Sequence, residues 1–354
     1  MSRPIRATVS LSALRHNLGV ARRHAPHART MAVIKANGYG HGMLRVAKAL
    51  ELADGFAVLS LAEAIILREA GFRQDILLLE GFFSAAEVSL LIQHGLSTVI
   101  HAQWQIDALT QTPVSSPIQV WLKINTGMNR LGFQPEDFPT ALQSLQQMGA
   151  QVTLMTHFAR ADEKNCITEP LALFNTITLE LPLPRSLSNS AAILNYPAAH
   201  GDWVRPGIML YGASPMSHQS ASALGLKPAM TFSSELIAIR DISAGTEVGY
   251  GGSFRAPCAM HIGTVACGYA DGYPRHAPTG TPVLIDGQRS RVIGRVSMDM
   301  LTVDLSAIPD TRIGSPVTLW GKDLPVDEVA TAAGTISYEL LCAVASRVPM
   351  SEIE

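Results

Sequence analysis

Along residues 8–225, short continuous apolar runs alternate with longer segments whose apolar positions recur every three or four residues. The first kind reads as a strand buried on both faces, the second as an amphipathic helix. Segment 11–23 places Leu11, Leu14, Leu18 and Val20 on one stripe and predicts a helix. A strand follows at 31–34, and further strands are predicted at 56–59, 76–79, 97–100, 118–124, 152–156, 186–188 and 203–204. Helices are expected near 43–50, 61–69, 104–109, 138–148 and 171–179. Ser84 followed by Glu87 predicts a capping box at the start of one more. About eight strand–helix units in this rhythm fit a closed (β/α)8 TIM-type barrel better than an open doubly wound sheet.

The rhythm changes after about residue 226. Segments 231–240, 261–266, 282–285, 292–296, 301–304 and 317–320 have β-type composition, and Asp286-Gly287 is a hairpin signal. Two short helices are expected at 326–333 and 338–346. The pattern predicts a barrel over 1–226 and a smaller, mostly β domain over 227–354.

Composition narrows the function. The chain has 354 residues, 47% hydrophobic and 16% charged, with a formal net charge of -2. That balance gives no field for a polyanion, and no run of like charge suggests a nucleic-acid or membrane partner. The start carries basic residues without an apolar stretch and does not read as a signal peptide. Cys166, Cys258, Cys267 and Cys342 are far apart with no Cys-x-x-Cys spacing. Neither structural zinc nor a disulfide framework is expected, no other metal site is read, and a reducing cytoplasm is the expected setting. The dinucleotide Gly-x-Gly-x-x-Gly pattern with its acidic residue and the Gly-Lys-Ser/Thr phosphate loop are both missing.

In a β/α barrel the chemistry sits at the carboxyl ends of the strands. That rule selects Lys35, then Arg130 in Asn125-Thr-Gly-Met-Asn-Arg130, then His157, Asn189, Ser190 and Arg205. Singly, each has a plain alternative: a snorkelling lysine, a core histidine, a helix cap, a loop ion pair. Together they share one rim. Ser190, Gly207 and Ile208 follow the last two strands, where barrels often hold phosphate on hydroxyl and backbone N–H groups. A lysine at a hidden strand end loses proton affinity through burial. Facing a phosphate site, it suggests a Schiff base with pyridoxal phosphate.

The chain closely resembles the alanine racemase family along its whole length. The resemblance rests on Val33-Ile-Lys35-Ala-Asn-Gly-Tyr39-Gly-His-Gly42, Asn125-Thr-Gly-Met-Asn-Arg130-Leu-Gly, Thr156-His-Phe158, Asp202-Trp-Val-Arg-Pro-Gly207, Val248-Gly-Tyr250-Gly-Gly252, Gly268-Tyr-Ala-Asp-Gly272 and Ser297-Met-Asp299-Met300. It implies a cytoplasmic enzyme that interconverts L- and D-alanine by two-base proton transfer on a pyridoxal 5'-phosphate aldimine. Lys35 would carry the cofactor and serve as base on the D-alanine side, with Tyr250 the opposite base on the L-alanine side. Since Tyr250 belongs to the second domain and reaches the other subunit's site in this family, a homodimer with shared active sites is implied. Arg205 would bond the pyridine nitrogen, and Tyr39, Ser190, Gly207, Ile208 and Tyr338 would hold the phosphate. Arg130 and the backbone N–H of Met298 would bind the substrate carboxylate. His157 would support Tyr250, Lys123 matches a lysine that can be carbamylated, Asp299 belongs to the Met298 motif, and Tyr269 and Asp271 match residues near the entrance. Gly38 departs from the family's usual alanine and is expected to add freedom beside Tyr39. Rival readings are a pyridoxal-phosphate decarboxylase of the same architecture, a broader racemase and a non-catalytic cofactor carrier.

Overall fold

Residues 3–112 and 117–354 are described by the computed structural model. The chain enters on β1 (Arg6–Ser10), and Ser10 caps the following helix, Leu11–His24, by accepting from the N–H of Ala13. Eight parallel strands come next: β2 (Arg29–Val33), β3 (Gly55–Val58), β4 (Asp75–Leu78), β5 (Ser97–Ile100), β6 (Gln119–Lys123), β7 (Gln151–Met155), β8 (Arg185–Ser186) and β9 (Trp203–Val204). Strands β3 and β5 are buried at every residue, as expected where helices cover one face and a barrel core the other. The sheet runs from β8 through β7 and on to β2, which pairs with β9. The seam between β8 and β9 is stitched by Arg205 N–H to Ser188 O (2.9 Å) and Ser186 Oγ to Trp203 O (2.9 Å). The (β/α)8 reading therefore holds.

The second sheet is built from β10 (Met230–Ile242), β13 (Met260–Val265), β14 (Pro282–Ile285), β15 (Gln288–Ile293), β16 (Leu301–Asp304), β17 (Pro316–Trp320) and β18 (Met350–Ile353), with a small hairpin of β11 (Glu247–Val248) and β12 (Phe254–Arg255). The predicted hairpin forms: Asp286 and Gly287 take φ of 48° and 76° between paired Ile285 and Gln288.

Three expectations fail here. Strand β1 lies in the second sheet rather than with the barrel, antiparallel to β10 and parallel to β18. Its alternating exposure, with Ala7 and Val9 buried, is the mark of a strand covered on one face, unlike the barrel strands. The last helix stops at Cys342, short of the expected 346, and strand β18 beyond it was not anticipated. The capping box falls at Ser60 and Glu63 rather than at Ser84 and Glu87. After Ser84 a 3-10 turn closes through Glu87 N–H to Ser84 O (3.1 Å), and the Glu87 carboxylate instead accepts from Phe83 N–H (2.7 Å). No helix among the described residues is long and apolar enough to cross a membrane.

Because β1 is an inner strand of the second sheet, Ala7→Pro should remove the N–H that donates to Pro349 O at 3.0 Å. A loss of about 2 kcal/mol or more is expected, read as a lower urea midpoint. An unchanged midpoint would mean that β1 contributes nothing to the sheet.

Candidate active site

A cavity of about 790 Å³ opens at the carboxyl ends of the barrel strands. Lys35, Tyr39, Lys123, Arg130, His157, Ser190, Arg205, Gly207, Ile208 and Tyr338 all line it. The strand-end rule and the motifs thus converge on one cavity. Glu80 and Cys342 also line it and were missed. Glu80 directly follows the expected strand 76–79, so the same rule applied there would have found it.

Beyond β2 the backbone makes a left-handed turn. Ala36, Asn37, Gly38 and Tyr39 take φ of 52°, 54°, 63° and 50°. Three of these residues are not glycine, and each such conformation costs of order 1 kcal/mol. Gly38 N–H donates to Ile34 O (2.8 Å), Gly40 N–H to Ala36 O (3.0 Å), and the Asn37 carboxamide oxygen accepts from Met43 N–H (2.9 Å). Gly38 does not loosen this turn as expected. A Cβ there would stand 2.8 Å from Val46 Cγ2, so glycine is what the close packing admits.

The turn sets Lys35 at the cavity and lays the Tyr39 ring on Tyr211, with centroids 4.5 Å apart. Tyr211 is fixed in turn by its hydroxyl, which donates to Val33 O at 2.9 Å. Beside Tyr39, Asn189 caps the helix Ser190–Asn195, and Ser190 Oγ accepts from Gly207 N–H at 2.9 Å. A Cβ on Gly207 would meet Tyr39 Oη at 2.6 Å. Tyr39 Oη, Ser190 Oγ and the Gly207 backbone therefore crowd one small polar cradle.

Arg205 is only 3% exposed. Its guanidinium donates to Ser186 Oγ, to Thr156 O (2.7 Å) and to Leu187 O (3.1 Å), and lies 3.4 Å from His157 Nδ1. Burial pulls its pKa down to about 9, which still leaves a cation at neutral pH. Lys123 falls to about 8, chiefly by burial and further by Arg205 and Arg130. Burial also lowers Lys35, against a counterpull from Glu80. His157 lies well below its ordinary value through burial and then through Arg205, so its ring is neutral. Four cations, Lys35, Lys123, Arg130 and Arg205, thus line the cavity with only two carboxylates, Glu80 and Asp162. Such a site suits an anionic ligand.

Arg130 stands on a loop folded over Asn125, whose Oδ1 accepts from Gly127 N–H (3.2 Å) and Asn129 N–H (3.0 Å). Apart from Tyr338, the second-domain candidates lie elsewhere. Tyr250 is 71% exposed, and Tyr269, Met298 and Asp299 are also on the surface; none lines this cavity. Asp271 is a buried anchor: it accepts from Arg3 (2.8 and 3.1 Å), Arg347 (2.8 Å) and Gly268 N–H (2.9 Å).

Family models for the alanine racemase N-terminal and C-terminal domains match residues 9–215 and 229–352. An alanine racemase of Nitrosospira multiformis is 58% identical over 98% of this chain and 99% of that protein. A catabolic alanine racemase of Salmonella typhimurium is 54% identical over 99% of each. The crystal structure of a biosynthetic alanine racemase from Pseudomonas aeruginosa superposes with a TM-score of 0.97 at 50% identity, over 99% of this chain and 100% of that one.

Gly38→Ala should destabilise the protein by about 1–2 kcal/mol, from the added strain against Val46. Combined with Val46→Ala in a double-mutant cycle, roughly 1 kcal/mol of that loss should be recovered as coupling. Thermal or urea unfolding measures it, and zero coupling would count against the contact.

Proposed function

The chain belongs to the alanine racemase family and racemises alanine, and we propose that it does so with pyridoxal 5'-phosphate, by two-base proton transfer in a homodimer with shared active sites. The observation that carries the cofactor reading is the cation-rich cavity with Lys35 and the Tyr39–Ser190–Gly207 cradle on one wall. Lys35 would hold the cofactor covalently. Tyr39, Ser190, Gly207, Ile208 and Tyr338 would hold its phosphate, and Arg205 its pyridine nitrogen. When bound, the cofactor supplies an electron sink that makes the α proton of alanine removable.

The protein's own residues do the rest. Racemisation takes a proton from one face and returns one to the other, so two bases are needed. Lys35, with its proton affinity lowered by burial, serves on the D-alanine side. Tyr250 of the partner subunit serves on the L-alanine side, in keeping with the exposure of Tyr250 away from its own chain's cavity. Arg205 keeps its proton and so would give the pyridine nitrogen a hydrogen bond rather than a full charge. The neutral His157 ring lies between Arg205, 3.4 Å from Nδ1, and Asn189 Nδ2, 3.4 Å from Nε2. A hydrogen-bonded chain from Tyr250 through His157 to Arg205 would favour the phenolate, which is the form Tyr250 needs.

Arg130 and the Met298 N–H would take the substrate carboxylate, Arg130 through two parallel bonds. Arg130 makes no salt bridge among the described residues, so a carbamate on Lys123 would give it the negative partner that orients it. Tyr269 and Asp299 would shape the entrance, with Asp271 holding their loops. We divide the chain near residue 226, with β1 crossing into the second sheet. The four free cysteines favour the cytoplasm, and the net charge of -2 favours no nucleic-acid partner. The chemistry runs in both directions, so D-alanine biosynthesis and D-alanine breakdown are equally open to it.

Borohydride should fix the cofactor to Lys35, as read by peptide mapping, and L-alanine should yield D-alanine. In D2O, Tyr250→Phe should still exchange the α proton of D-alanine while losing exchange of L-alanine by roughly 100-fold or more. Equal loss or equal retention on both enantiomers would defeat the assignment of one base to each face.

Lys123 gives a pH test. Its amine is neutral above about 8 in the folded protein, against an ordinary 10.5. Incubation with 13C-bicarbonate should therefore give a carbamate signal that grows as pH rises through about 8 and is absent in Lys123→Met. By the same linkage, the unfolded chain binds the extra proton between those values, so Lys123 makes stability rise with pH across that window.

A further inference from the structure

His41 is fully buried beneath the left-handed turn, and no residue role described above uses it. Its Nδ1 lies 2.8 Å from Tyr39 O and 3.1 Å from Gly38 O. Both partners are carbonyl oxygens, so Nδ1 must be the donor. Nε2 has no hydrogen-bond partner among the described residues. Burial holds the ring down to about 4, hence neutral, which leaves one N–H and fixes it on Nδ1. The ring also packs on Tyr211 at 4.7 Å, the same ring on which Tyr39 stacks.

We propose that His41 is a positioning residue of the cofactor site: its Nδ1–H latches the left-handed turn that presents Lys35 and Tyr39 to the cavity. The turn needs such a device. Ala36, Asn37 and Tyr39 all carry positive φ, and each would relax toward ordinary backbone if the carbonyls of Gly38 and Tyr39 were released. Gly38 O keeps the His41 backbone N–H at 3.0 Å, whereas Tyr39 O has no other donor among the described residues and would be left buried and unpaired. Loss of the donor would let Tyr39 Oη move from the Gly207 backbone it abuts, and with it one wall of the phosphate cradle. The inference rests on the reading that Lys35 and Tyr39 hold pyridoxal phosphate.

Asparagine places an N–H donor where Nδ1 stands, whereas glutamine reaches only toward Nε2. The holoenzymes of wild type, His41→Asn, His41→Gln and His41→Leu should be dialysed and assayed for retained pyridoxal phosphate, with circular dichroism as a check on folding. His41→Gln and His41→Leu should bind the cofactor roughly 10-fold or more weakly, and His41→Asn within about 3-fold of wild type. A packing role would make leucine the best replacement and would not separate asparagine from glutamine; either result overturns the latch. Selective 15N-histidine NMR of the wild-type protein needs no variant. It should show a slowly exchanging Nδ1–H, and an Nε2–H tautomer at His41 would overturn the proposal even if no variant folds. If the wild type itself retains no pyridoxal phosphate, the cofactor reading fails, while the tautomer still decides the latch.

Discussion

The buried guanidinium of Arg205 is the constraint around which the site is arranged. A cation nearly out of water is tolerable only when it is well hydrogen-bonded. Here Ser186, Leu187 and Thr156 accept from its two terminal nitrogens, at the seam where regular pairing gives out. Removing such a group from its partners costs roughly 3–5 kcal/mol. The same residue therefore closes the barrel and charges its mouth. Its field helps to keep Lys123 and His157 short of protons. One side chain thus reinforces what burial does to the protonation of two others.

The opposite wall is governed by backbone. The strand β2 delivers Lys35, but a right-handed continuation would place Tyr39 elsewhere. Four successive positive φ values send the chain back over Tyr211, and side chains supply what the backbone conformation costs: Asn37 to Met43 N–H and His41 to two carbonyls. The polar cradle then forms where this turn meets Gly207. Glycine is required at that meeting by distance, since a Cβ would lie 2.6 Å from Tyr39 Oη.

The barrel was legible because parallel strands covered on both faces leave unbroken apolar runs, and because chemistry collects at their carboxyl ends. Lys35, Arg130, His157, Ser190 and Arg205 were found that way, and the cavity unites them. Glu80 obeyed the same rule and was passed over. What stayed hidden depends on distant partners. Strand β1 is five residues long and its neighbours, β10 and β18, lie more than two hundred residues away. The alternation of Arg6, Ala7, Thr8, Val9 and Ser10 marks a one-sided strand, but which sheet it joins is set by those distant partners. The Ser84 capping box matched in sequence but lost to a 3-10 turn. Gly38 looked like added freedom, because its close neighbour Val46 and its positive φ are facts of packing. The motifs of the second domain carried residue roles only through family resemblance.

Those second-domain residues are nonetheless held firmly. Arg3 and Arg347 both reach Asp271, and they also bond Asp299, to its backbone and its carboxylate respectively. Asp271 caps Gly268 N–H, and the two loops are joined by Tyr269 N–H to Ser297 O (3.0 Å) and Ala270 N–H to Met298 O (2.9 Å). Exposed Tyr269 and Met298 therefore sit on a cross-braced platform rather than on loose loops. An ion network with one member fully buried is expensive to assemble and is a poor source of net stability. Its use here is geometric, since it fixes exposed side chains that have no partner within their own chain. A surface arranged so rigidly has a function only against something equally defined. On the two-base reading that counterpart is the mouth of a second barrel, where Lys35 leaves one face of the substrate without a base.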